Sequence, residues 1–249
     1  MNLESLLEKA RAYEESLPPF MGGLDVKGKK IAEYLDSTLL KAEATLDQVK
    51  ALCDEAIQNR FAAVCINPVY VSRVQRFLKG SDVKNCTVIG FPLGAGLTPI
   101  KVEEAIQMLK EGAEEVDMVI PIGMLKNGAY QYVYKEIAQI SEIAHNHHAL
   151  CKVILEMGLL TQSEKIIGCL LSMEAGADFV KTSTGMLAGG ATVEDVQLMR
   201  RVVGPEMGVK ASGGIRSLAD AKAMLQNGAS RLGTSSALKI LNEALQENS

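Results

Sequence analysis

No run of 18 apolar residues occurs anywhere in the sequence, so a membrane-spanning helix is not expected. The N-terminus, Met1-Asn-Leu-Glu-Ser5, carries an acid at once and lacks the apolar stretch of a signal peptide. Basic clusters are missing too. Lys and Arg total 26 against 30 Asp and Glu, a formal net charge of −4, which is poor equipment for nucleic acid or an anionic membrane. The five cysteines contain no C-x-x-C pair and are odd in number. They read as reduced, mostly buried thiols of a cytoplasmic protein. Neither a dinucleotide fingerprint nor a G-x-x-x-x-G-K-[ST] loop is present. One stretch, His145-Asn-His-His148, resembles a metal cluster, but it closes a helix ahead of the fifth expected strand, where imidazolium suits a helix C-terminus. No metal and no cofactor are expected, and the 11 methionines read as core filler.

What the sequence does hold is a regular alternation. Apolar residues make up 47% of 249 residues, enough to bury a large core. A helical segment over 3–16 ends at Leu17-Pro-Pro19, a break that no helix crosses easily. Short β-branched runs then alternate with amphipathic stretches, placing strands near 34–37, 62–67, 86–92, 115–121, 150–156, 178–183, 208–212 and 230–234. Eight strands alternating with helices at this length predict a single-domain α/β (β/α)8 TIM barrel over 1–249. Residues 1–30 form an N-terminal helical extension, whose helix would plug the barrel's bottom. Gly112, Gly176 and Gly228, each followed by Ala, form a weak repeat that ends a helix and opens a strand. Five residues beyond each glycine stand Asp117, Lys181 and Gly233, in equivalent register and so expected to face the same way.

Lys181 and Lys210 sit in neighbouring apolar strands at nearly the same height. Inward-facing, they would depress each other, leaving a free amine able to attack a carbonyl; outward-facing, they would snorkel to solvent. Asp117 would stand at the barrel mouth between the two amines, holding one charged and relaying protons, or forming a plain ion pair. Glycine turns after the seventh and eighth strands, Ser212-Gly-Gly-Ile-Arg216 and Gly233-Thr-Ser-Ser236, suggest an anion site made of backbone N–H groups. Lys152 and Glu156 are of second rank, supporting the site or forming a structural pair.

On these residues the sequence resembles the deoxyribose-phosphate aldolases, from Leu35-Asp-Ser-Thr-Leu-Leu40 to Gly233-Thr-Ser-Ser236. The most specific pieces are Glu115-Val-Asp-Met-Val119, Val180-Lys-Thr-Ser-Thr-Gly185 and Val209-Lys-Ala-Ser-Gly-Gly-Ile-Arg216. The resemblance implies a carbon–carbon lyase. It would cleave 2-deoxy-D-ribose 5-phosphate reversibly to D-glyceraldehyde 3-phosphate and acetaldehyde, through a Schiff base on Lys181. It makes Asp117 and Lys210 the proton-relay pair and puts Asp36, Thr38, Cys65 and Asn67 in the substrate pocket. Thr184, Gly185, Gly213, Gly214, Arg216, Gly233, Ser235 and Ser236 match the phosphate-binding turns. Departures from the family are Ser37 where many relatives have His, Met186 after the Lys-Thr-Ser-Thr-Gly run, and no C-terminal tyrosine. They bear on rate and specificity.

Two rivals share the turns. Another Schiff-base aldolase, or a transaldolase-like barrel, would differ in the phosphosugar it accepts. A phosphosugar-binding barrel without catalysis would have no need of Lys181, Lys210 and Asp117 together. Lys181→Leu separates them, since a binder keeps its affinity and an enzyme loses turnover. The partner is a small phosphosugar, and a homodimer is the assembly expected, though no residue specifies it.

Overall fold

The computed structural model describes residues 1–247; residues 248–249, at the end where some relatives carry a tyrosine, lie outside the described residues. In chain order the elements are α1 (Leu3–Glu15), β1 (Leu35–Leu39), α2 (Leu46–Asn59), β2 (Ala63–Ile66), α3 (Val71–Phe77) and β3 (Lys84–Ile89). There follow α4 (Thr98–Lys110), β4 (Glu115–Val119), α5 (Ile122–Lys126), α6 (Tyr130–Asn146), β5 (Leu150–Ile154), α7 (Gln162–Glu174) and β6 (Phe179–Lys181). The chain closes with α8 (Val193–Val203), β7 (Gly208–Ser212), α9 (Leu218–Gln226), β8 (Arg231–Thr234) and α10 (Ala237–Gln246). The eight strands pair in sequential order, all parallel, into a closed barrel. This is the expected (β/α)8 architecture, with α1 and α5 as additions.

The strands are buried on both faces, and their apolar side chains pack chiefly outward against the helices. Gly112, Gly176 and Gly228 have φ of 102°, 77° and 109°, the left-handed helix ends that the repeat predicted. Three helices start with reciprocal caps, Thr45 with Gln48, Thr161 with Glu164 and Ser217 with Asp220. Each cap satisfies orphan N–H groups and fixes how a loop at the top of the barrel enters its helix.

Strand boundaries lie within three residues of expectation. The third strand spans 84–89 rather than 86–92, the fourth and fifth end at 119 and 154 rather than 121 and 156, and the sixth ends at Lys181 rather than two residues later. Beyond Lys181 the backbone pairing runs on through Thr182, whose N–H donates to Lys210 O (3.0 Å), and the side chain adds to it: Thr182 Oγ1 accepts from Ser212 N (3.0 Å) and donates to Ser212 O (3.1 Å). Helix α1 does not plug the bottom. It buries Leu6 and Ala10 on its narrow apolar stripe and packs along the flank of α7. The chain after it straps the C-terminal ends of α8 and α9. Arg201 Nε and one further guanidinium nitrogen donate to the carbonyls of Pro18 (2.5 Å) and Leu17 (2.8 Å), and Leu24 N donates to Leu225 O (2.9 Å). At Gly23 any side chain would strike the backbone of Gln226, with a Cβ only 2.1 Å from its carbonyl oxygen.

No helix among the described residues is long and apolar enough to cross a membrane. All five cysteines are free and buried, and burial pushes the Cys53 and Cys151 thiols up to about 12. The histidines close α6 as expected: His147 is its C-cap, with Nδ1 2.9 Å from Ile143 O, and His145 in the last turn lies with Nε2 3.0 Å from Asp178 Oδ2 at the surface.

Candidate active site

Barrel interiors are ordinarily filled by layers of branched apolar side chains. Here the purely apolar or thiol part of the interior is a small cluster, Leu40, Ala63, Cys65, Cys86 and Val88, on the β1–β3 side. The remaining strands turn charged groups inward. Lys181 pairs with Lys210 across β6 and β7, and Asp117 pairs with Lys152 across β4 and β5, so register alone brings these side chains together.

Both lysines of the sequence motif face inward, and snorkelling is ruled out by burial. Lys181 is 3% exposed and Asp117 fully buried. Asp117 Oδ2 accepts from Lys181 Nζ and from Lys210 Nζ, each at 2.7 Å, while its Oδ1 accepts from Lys152 Nζ at 2.8 Å. Asp117 therefore stands between Lys181 and Lys210 as expected, but not at the mouth. It lies in mid-strand beneath the opening and serves three amines. Burial alone would raise its pKa, but the three ammonium groups outweigh that and hold it well below the usual carboxylate range.

The same competition corrects the expectation for Lys210. Burial pulls its pKa down, yet Asp117 and Asp36 (Oδ2 at 2.5 Å) outweigh burial and Lys152 and hold it above the usual lysine value. A paired ammonium in a buried site stays charged, whatever its like-charged neighbour does. Lys152 is raised too, burial being overcome by Asp117, Cys86, Glu115 and Asp36.

Above this floor opens a cavity of about 270 Å³ lined by the strand ends and their loops. Lys181 reaches it, as do Thr38, Thr184, Gly185, Gly213, Gly214, Arg216, Gly233 and Ser235 of the predicted residues. Gly185, Gly213 and Gly214 take φ of 77°, 87° and 81°, which only glycine adopts readily. The N–H groups of Gly213, Gly214 and Ser235 have no partner among the described residues. They point to an anion cradle of the kind glycine turns make. At Gly233 a Cβ would stand 3.2 Å from Lys210 Cε, so its lack of a side chain leaves room for that lysine.

Four predicted residues stand elsewhere. Asp36 is locked under the cavity between Lys210 and Arg231. Cys65 is buried beside Cys86, whose hydrogen bond lowers its pKa. Asn67 braces the rim, its Nδ2 donating to Lys41 O at 3.2 Å. Ser236 donates its N–H to Thr234 Oγ1 (2.9 Å) and lines a separate surface groove with Lys239 and Asn242.

Glu156, of second rank in the sequence, braces the cavity wall. Its Oε2 accepts from Thr184 N (3.1 Å) and Thr184 Oγ1 (2.5 Å), from a left-handed backbone position at φ 57°. Sequence reasoning missed Glu115 and Arg231, which join the buried charges from below. Arg231 bonds Asp36 Oδ1 (2.8 Å) and Glu115 Oε2 (3.2 Å) and stacks over the Phe179 ring at 5.6 Å. The available signal was alternation: Glu115 precedes Asp117 by two and Arg231 precedes Gly233 by two, so both share the inward face.

Two sets of metal-ligating atoms converge within 4.8 Å, Cys65–Cys86–Asp117 and Asp36–Cys86–Glu115. Their carboxylates already carry lysine or arginine cations, which an entering metal ion would have to displace.

Fold and site together define a class, a (β/α)8-barrel enzyme centred on a buried carboxylate shared by several amines. Residues 30–243 match the profile of the DeoC/LacD family aldolases. The deoxyribose-phosphate aldolase of Thermococcus gammatolerans is 56% identical over 219 residues, 87% of this chain and 97% of the relative. That of Caldanaerobacter subterraneus subsp. tengcongensis is 55% identical over 214 residues, 86% and 93% of the two chains. Among solved structures, a Coccidioides immitis protein assigned to deoxyribose-phosphate aldolase superposes with a TM-score of 0.92 at 40% identity, covering 98% of both chains. The tetrameric deoxyribose phosphate aldolase of Aeropyrum pernix gives 0.82 at 35%, covering 97% of both. The chain belongs to the DeoC/LacD family of aldolases and is a carbon–carbon lyase.

Proposed function

We propose that the enzyme reversibly cleaves 2-deoxy-D-ribose 5-phosphate to D-glyceraldehyde 3-phosphate and acetaldehyde through a Schiff base on Lys181. The observation that carries the reading is the position of Lys181. It is the one lysine of the buried cluster that also lines the cavity, with Asp117 and Lys210 directly beneath it.

Lys181 Nζ, as the free amine, adds to the C1 aldehyde of the open-chain sugar. The carbinolamine loses water and becomes an iminium. An iminium at C1 accepts electrons from the bond one carbon removed, so C2–C3 breaks. The C3 hydroxyl gives up its proton, C3 becomes the aldehyde carbon of the three-carbon product, and the electron pair moves to an enamine on C1–C2. Protonation of C2 and hydrolysis of the renewed iminium free acetaldehyde and restore the amine. Asp117 and Lys210, with water, move these protons, since general acid–base partners must lie within hydrogen-bond reach of the reacting group. The 5-phosphate would rest on the free N–H groups of Gly213, Gly214 and Ser235, with Arg216 beside them.

A cytoplasmic site of action accords with five buried, unpaired thiols. The homodimer expected from the sequence is carried here as a proposal, to be read by light scattering.

The test is to incubate the enzyme with 2-deoxyribose 5-phosphate, reduce with borohydride and map the added mass by peptide mass spectrometry, following glyceraldehyde 3-phosphate by a coupled assay. An adduct on Lys181 with product release is expected. An adduct without release moves the substrate to another phosphosugar, and folded protein with no adduct at Lys181 overturns the aldimine chemistry.

A further inference from the structure

The buried charges close on themselves. Asp117 Oδ2 meets Lys210 (2.7 Å), and Lys210 meets Asp36 Oδ2 (2.5 Å). Asp36 Oδ1 meets Arg231 (2.8 Å), Arg231 meets Glu115 Oε2 (3.2 Å), Glu115 Oε2 meets Lys152 (2.6 Å), and Lys152 returns to Asp117 Oδ1 (2.8 Å). The ring alternates in sign, three carboxylates with three cations, and is neutral. Lys181 is attached to it only through Asp117 Oδ2, so its ammonium is the one surplus charge. A surplus charge costs most where water is excluded, and five of the six ring members are buried, with Glu115 1% exposed and Asp36, Asp117, Lys152 and Lys210 fully buried, while Arg231 keeps 14% of its side chain exposed.

We propose that Glu115 and Arg231 are positioning residues that keep this ring neutral, and so set how readily Lys181 gives up its proton to become the reacting amine. They would do so through the charge balance of the ring, without touching substrate. The proposal rests on Lys181 being the Schiff-base lysine and extends it to residues at the bottom of the barrel.

Charged or titratable groups face the centre from every strand: Asp36 on β1, Cys65 on β2, Cys86 on β3, Glu115 and Asp117 on β4, Lys152 on β5, Lys181 on β6, Lys210 on β7 and Arg231 on β8. Burial raises the Cys86 thiol and keeps it neutral. The Cys86 hydrogen bond holds the Cys65 thiol below its usual value, so the measurement is made at Lys181 rather than on total activity.

The substrate-free enzyme would be acylated with acetic anhydride across a pH series and the modification at Lys181 quantified by peptide mass spectrometry. Glu115→Gln removes an anion and leaves the ring positive, so half-maximal modification should move down by about one pH unit, a size suited to one nearby buried charge at an effective dielectric of about 20. Arg231→Met removes a cation and should move it up by a similar amount. Combining the two restores neutrality and should return the midpoint toward that of the parent. No shift, or shifts of the same sign that accumulate in the double variant, would overturn the proposal. Circular dichroism checks folding. Should either single variant fail to fold, a double variant that also unfolds counts against charge balance, and one that recovers supports it. Borohydride trapping on the parent enzyme is run beside this, so a missing Schiff base is distinguished from a missing charge effect.

Discussion

At the floor of the cavity seven charged side chains from six strands are packed out of water, each held by partners of opposite sign. At its rim Gly185, Gly213, Gly214 and Ser235 offer backbone in place of charge. The floor uses side chains because acid–base and nucleophilic chemistry need groups that change protonation. The rim uses main chain because a phosphate needs a fixed cradle of N–H groups that glycine alone lets close in. Removing a floor residue therefore changes chemistry or folding, whereas altering the rim changes binding.

Lys181→Leu should break the contrast most severely, with kcat/KM falling by at least about 10⁴-fold in a coupled assay because the nucleophile is gone. Its melting temperature should change little, since what remains is a neutral ring. Asp117→Leu strands the buried Lys181 ammonium and takes one of two carboxylate partners from each of Lys152 and Lys210. Loss of about 3–5 kcal/mol in a denaturant titration is expected, together with loss of turnover. A change at the rim is milder. Gly190→Ala places a Cβ 2.4 Å from Gly213 O and pushes the turn out of line. KM for the phosphosugar should rise about tenfold, equivalent to about 1.4 kcal/mol, with kcat held. An equal fall in kcat would erase the distinction between floor and rim.

The smallest expected effect is a flat pH profile. Asp36 and Asp117 are held low against their burial by the surrounding cations, so their stabilisation is present above the unfolded value of about 3.9 and is lost as pH falls through the folded values. Lys152 and Lys210 are held high, so theirs is complete below about 10.4 and is lost as pH rises through the folded values. This cluster should leave the melting temperature level between about pH 5 and 9, with losses only outside it. A slope inside that window, measured by scanning calorimetry, would show that the ring is less tightly paired than its distances indicate.

The alternation of apolar runs and amphipathic stretches made the eight-stranded barrel legible from the sequence, because strand and helix periods are local properties of the chain. The spacing of Asp117, Lys181 and Gly233 after their glycines likewise told which side chains share a face, since that depends only on register within a strand. Which carboxylate meets which amine was not legible. Asp36 and Arg231 are 195 residues apart in sequence yet meet where β1 and β8 close the barrel, and Glu115 and Arg231, 116 apart, bond across its interior. The sequence suggested that two neighbouring lysines would depress each other; closure added the carboxylates that hold Lys210 charged. The path of α1 was undecided in the same way, because its short apolar stripe could have met any surface until α7 supplied one. Local pattern determined the elements and the inward-facing residues of this protein. Only the closed barrel decided their charges, because a buried group's protonation is set by neighbours that sequence distance does not reveal.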